Sequence, residues 1–163
     1  MRGARALLAT ALFAFGAPSL AHHAPNSFVR LDFRARLVRA EMMIPRSELA
    51  WAMEGATSEA ALPDYLLRHV GASTPKGAAW SVRVSGVRSM TYLDQPYFAA
   101  VVEFVPPAGA SARDFVLTHD AVTHEVRNHV VVVVAEHDDV DAGAAPRMIG
   151  ALQYPARSLV IRR

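Results

Sequence analysis

Five valines in succession, Val130–Val134, constrain this chain more than any other stretch. β-Branched side chains lose rotamer freedom in a helix and pack well on a pleated surface, so the run predicts a strand. It is far too short to cross a bilayer as a helix. The neighbouring segments follow the same logic. Trp80, Val82 and Val84 alternate with Ser81, Arg83 and Ser85, and Gly86 in mid-run predicts a bulge or a break. "YFAAVVEFV" is stopped by Pro106-Pro107. "FVLTHDAV", "THEVRNHVVVVVAEHD", "RMIGALQYP" and "SLVIRR" follow, separated by loops rich in Asp, Gly and Pro.

Upstream, the spacing predicts one strand through Phe33 and a second over Leu37 to Ile44, joined near Arg34-Ala35. Pro45 stops the second strand and opens a helix through Met53. Leu62, Tyr65, Leu66, His69 and Val70 share one helical face, with Ser58 as cap and Gly71 as stop. On that face His69 reads as a histidine at the core edge. Met42 and Met43 point to opposite faces of a strand and read as core filling. Eight or nine strands with one helical insertion after the second predict an immunoglobulin-like antiparallel β-sandwich, with a barrel as the alternative.

Residues 1–21 read as a secretory signal. Arg2 and Arg5 precede an apolar run from Ala6 to Phe15, and Ser19-Leu20-Ala21 places small residues before a cut after Ala21. The expectation is a periplasmic chain with a single domain over 22–163. Removing Arg2 and Arg5 would leave equal numbers of basic and acidic residues, and a single Lys, so nucleic acid is not an expected partner. The chain has no cysteine. That rules out disulfides, a disulfide-linked partner and thiolate chemistry, and leaves His, Asp, Glu and Met as metal ligands. No G-x-S-x-G, H-E-x-x-H or phosphate-binding glycine loop is present, so no enzyme is expected.

The histidines carry the remaining chemistry. Cleavage after Ala21 would free the amine of His22, which with its own imidazole chelates copper or nickel; His23 could assist. His119 could approach His124 across a hairpin turn at Asp120-Ala121. On a continuous strand, His124 and His129 would face opposite ways. "EHDDVD", with His137, Asp138, Asp139 and Asp141, reads as a solvated loop.

Several stretches together resemble the extracytoplasmic N-terminal domain of HupE/UreJ-like membrane proteins. They are the Pro-Asn-Ser run into "VRLD", "EMMIPRSELAWAM", "LPDYLLRHV", "FVLTHDAVTHEVRNHVVVVV" and "GALQYPARSLVI". The resemblance runs over essentially the whole chain after the signal. Members of that family continue into several transmembrane helices after a segment like "SLVIRR", so the expectation is the extracytoplasmic module, membrane-associated if the sequence is a piece of a longer protein of that kind. The resemblance implies a periplasmic accessory domain for nickel or copper handling, with His22, His23, His119, His124 and His129 as candidate ligands. A non-catalytic domain that docks a membrane transporter or another envelope protein is the alternative. A copper-dependent oxidative enzyme ranks third.

Overall fold

The computed structural model describes residues 25–55 and 57–163, so the signal segment and His22 and His23 lie outside the described residues. Four of the five valines, Val131–Val134, lie in an inner strand of the larger sheet. β7 (Val131–Asp138) pairs with β1 (Ser27–Phe33), and β1 pairs with β2 (Val38–Pro45). β4 (Ser81–Tyr92), β5 (Gln95–Val105) and β8 (Arg147–Leu152) complete six strands in the order β4-β5-β2-β1-β7-β8. A second sheet holds β3 (Val70–Ser73), β6 (Asp114–His119) and β9 (Ser158–Arg162) in the order β3-β6-β9. The protein is therefore mainly β and sandwich-like, with helices after the second strand as the residue pattern predicts. One pairing departs from an all-antiparallel sandwich: β1 and β7 run parallel, so the large sheet is mixed. Nearly a hundred residues separate these two strands, which leaves ample chain for a parallel connection.

Alternation decides which face is buried. Val29, Leu31 and Phe33 of β1 face inward, while Arg30 and Asp32 face out. Val131, Val133 and Ala135 of β7 join Val38, Ala40, Met42 and Ile44 of β2 in the same layer. The smaller sheet contributes Phe115, Leu117 and Ile161, with Phe115 against Phe33 and Trp80. Met42 belongs to this core. Met43 is equally buried but points to the other face, as two adjacent strand residues must. The Gly86 irregularity is a register shift between Val84 and Gly86 where β4 meets β5. At the free edge of β4, the Glu59 carboxylate accepts hydrogen bonds from the Ser89 N–H and hydroxyl, which blunts an exposed strand edge.

Helix α1 (Arg46–Ala52) starts directly after Pro45, and α2 (Leu62–His69) carries Pro63 in its first turn. A turn precedes α2, in which the Ser58 hydroxyl accepts the Ala61 N–H. Leu49, Leu62, Tyr65 and Leu66 bury one stripe of the two helices on the sandwich. Val70 breaks the helix by adopting extended geometry and begins β3, a strand that sequence spacing reads as a helix end.

Asp138 corrects the reading of "EHDDVD" as solvated. Its side chain is 1% exposed and is clamped by Arg113 and Arg163, with Arg163 Nε 2.9 Å from Oδ2. Burial alone would raise this carboxyl. The Arg113 hydrogen bonds, the Val140 N–H and Arg163 overcome it and hold the group at about 2. Asp138→Ala leaves the nearly buried Arg163 without its counter-charge, and should cost about 3–5 kcal/mol in urea unfolding at neutral pH. Because the folded carboxyl is depressed, its stabilisation is present above the ordinary carboxylate range. It is lost as pH falls toward about 2, so the gap between parent and variant should close in acid.

Candidate metal centre

The segment before the valines is not a strand. The Val126 N–H bonds the Val122 carbonyl at 2.9 Å and the His124 N–H bonds the Asp120 carbonyl at 3.2 Å, which are helical i→i−4 contacts. Ala121, Val122 and Thr123 are buried in succession, which the alternation of a half-buried strand does not allow. β6 ends at His119, the chain coils through residues 120–128, and β7 begins at Val131. This places Asp120 and His124 one helical turn apart rather than far apart along a strand.

The coil packs against the end of α2 and brings His69, Asp120 and His124 together, with ligand atoms all within 4.8 Å of one another. Asp120 organises the group. Its N–H donates to the His69 carbonyl at 3.0 Å. Its Oδ1 lies 2.9 Å from His69 Nδ1, and its Oδ2 lies 3.1 Å from Arg157 Nη1. The Asp120 carbonyl lies 2.6 Å from His124 Nδ1. A carbonyl only accepts, so His124 Nδ1 carries the hydrogen and its Nε2 keeps a lone pair. The ionised carboxylate imposes the same tautomer on His69. Neither Nε2 has a protein hydrogen bond or is sealed from solvent among the described residues.

The two imidazoles stack with centroids 4.3 Å apart and planes 20° from parallel. Tyr65 supports them from below, 4.5 Å from the His69 ring, with its hydroxyl donated to the Ala121 carbonyl. Burial and the nearby Asp120 charge raise the Tyr65 hydroxyl, so it stays a neutral donor. His69 opens onto a cavity of about 520 Å³ that is also lined by Met53, Glu54, Asp64, Tyr65 and Arg68. Imidazole lone pairs lie in the ring plane, so two stacked rings do not converge on one centre. Metal–nitrogen bonds of about 2.0–2.1 Å require neighbouring ligand atoms to close to roughly 3–3.5 Å. Holding one ion with both Nε2 atoms therefore requires one ring to swivel out of the stack while its Nδ1 keeps its bond to Asp120. With one carboxylate oxygen on His69 and the other on Arg157, Asp120 is an orienting group more than a ligand, the usual relation of carboxylate to metal-binding histidine.

The expected ligands therefore separate. His124 lies in this cluster. His119 faces the interior, completely buried, with neither ring nitrogen hydrogen-bonded. His129 is also buried, in a different setting: its Nε2 lies 2.8 Å from the Ser27 hydroxyl, and its Nδ1 lies 4.0 Å from Glu48 Oε2 without a hydrogen bond. His119, His124 and His129 thus share no ligand group among the described residues. His69 and Asp120 complete the cluster instead. The signal for them was present as the i,i+4 pairs Tyr65/His69 and Asp120/His124, legible only if the second is read as a helical turn. A further group, Asp32, His137 and Asp139, is spanned by Arg34, which bonds both carboxylates and occupies the place of a cation.

No family model and no curated protein matches the chain.

Burial holds the His129 imidazole down at about 4, against an ordinary value near 6.5. The unfolded chain therefore takes up a proton at His129 that the folded chain refuses. Its contribution to stability is present above the ordinary value and falls as pH drops from about 6.5 to 4, by about 1.4 kcal/mol per pH unit. Denaturant unfolding across this window should show the slope, and His129→Gln, which can keep a bond to Ser27, should reduce it by one proton.

Proposed function

We propose that this chain is an exported, non-catalytic accessory domain for nickel or copper handling, and that it holds the ion at His69 and His124. The observation that carries the reading is the pair of imidazoles whose tautomers are set by one residue. Asp120 takes both Nδ1 hydrogens, so two Nε2 lone pairs stay free, and His69 borders a cavity. Neutral imidazole nitrogens favour Cu(II) and Ni(II) among first-row ions. Two protein ligands leave coordination positions free, which suits an ion that is passed on rather than one that is kept. The resemblance to HupE/UreJ extracytoplasmic domains and the signal-like N-terminus support the periplasmic setting and the choice of metals. Asp120 and Arg157 orient His69, Tyr65 backs the stack, and the Asp120 carbonyl fixes His124.

Calorimetric titration of the chain with Ni(II) and Cu(II) tests the site. His69→Ala and His124→Ala should each weaken binding at least tenfold, and Asp120→Asn about tenfold through loss of orientation. Cu(II) paramagnetic resonance should show two imidazole nitrogens in the parent and one in each histidine variant, a readout that mere destabilisation does not produce. A chain beginning at His22 and its His22→Ala variant should show the same internal site. If instead His22→Ala alone abolishes tight binding, the N-terminal amine is the metal anchor and the internal assignment is wrong.

A further inference from the structure

The coil that presents His124 on one side builds a second feature on the other. Glu48 and Trp51 of α1 face Glu125, Val126, Arg127 and Asn128 across a groove of about 410 Å³. Trp51 is 77% exposed, whereas the other tryptophan, Trp80, is buried in the core. A lone indole left in water beside a groove is an unfilled contact of the kind that anchors protein interfaces.

The charges in the groove are unbalanced. Glu125 forms no ion pair among the described residues. The one ion-pair contact of the Glu48 carboxylate among the described residues is with His129 Nδ1 at 4.0 Å, a fully buried atom without a hydrogen-bond partner. Arg127 is drawn away, with its guanidinium 4.7 Å from the Tyr154 ring. Two carboxylates and an indole therefore line one groove whose one lining cation, Arg127, makes an ion pair with neither carboxylate among the described residues. We propose that this groove is a docking site for an arginine or lysine side chain on a basic segment of a partner protein.

The chemistry selects this occupant over others. A guanidinium stacks on an indole face and forks onto a carboxylate, so arginine satisfies both features at once. An apolar helix laid in the groove would bury Glu48 and Glu125 with no counter-charge. Glu48 and Glu125 belong to no cluster of three or more metal-ligating side chains among the described residues, and neither has a histidine or carboxylate set around it as His69 and His124 do. Val126 and the indole give the methylene stem of a long basic side chain an apolar wall.

Acetylated, amidated tetra-arginine is the probe, titrated into the parent chain at low salt with indole fluorescence as the readout. Trp80 is sealed in the core, so Trp51 should supply the change. Saturable quenching is expected, with tetra-glutamate giving none. By calorimetry, Trp51→Ala should weaken tetra-arginine binding about fivefold or more. The Glu48→Gln/Glu125→Gln double variant should abolish it, and salt should weaken it steeply. The His69→Ala/His124→Ala variant should bind the peptide as the parent does, which separates this groove from the metal reading. The proposal is overturned if tetra-arginine gives no saturable response. It is equally overturned if the carboxylate double variant binds as tightly as the parent, because the attraction then lies elsewhere on the surface.

Discussion

Asp120 is the constraint on which the functional end of this protein depends. It sits where β6 stops and the coil begins, and four of its groups are in use. The N–H and carboxylate hold α2 through His69, the second carboxylate oxygen holds Arg157 ahead of β9, and the carbonyl starts the helical turn and fixes His124. One residue thus joins the helical insertion to the smaller sheet and sets the tautomers of both imidazoles. A partly buried carboxylate so fully engaged is a stiff support, because each partner it loses leaves a polar group unsatisfied away from water.

The five histidines among the described residues occupy physically different places, and their chemistry follows. His119 and His129 lie in the core. Burial, with the repulsion of His129 in the case of His119, holds both at about 4 and keeps them neutral. His69 and His124 stand at the rim, half-buried, with one nitrogen committed and one free. The coil between β6 and β7 carries His124, with His119 just before it and His129 just after. Two openings lie at this end, a cavity bordered by His69 and a groove bordered by Glu125 and Trp51.

The strands were legible because their signal is local. Alternation in β1, the proline that ends β2, the glycine irregularity in β4 and the proline pair after β5 each act over a few residues, and each appears where spacing predicts it. Residues 120–129 misled for a physical reason. Val122, Thr123 and Val126 favour strands, and the valine run lies just beyond, so propensity extends β7 backward. Burial of Ala121, Val122 and Thr123 against α2 overrides it, since packing outweighs the small differences among intrinsic propensities. "EHDDVD" misled similarly. Its charges resemble a solvated loop, but Asp138 faces two arginines supplied from the ends of β6 and β9.

By itself the sequence determined a mainly β, sandwich-like chain without disulfides, interrupted by helices after its second strand, because periodicity and turn chemistry are written in neighbouring residues. Only the tertiary structure decided that β1 lies parallel to β7, that Asp138 is an interior anchor, and that His124 meets His69 rather than His119 or His129. Those outcomes depend on contacts between residues 25 to about 100 positions apart, and on a coil whose course is set by what it packs against. Ligand geometry is of that second kind, which is why the histidines could be named in advance but not paired.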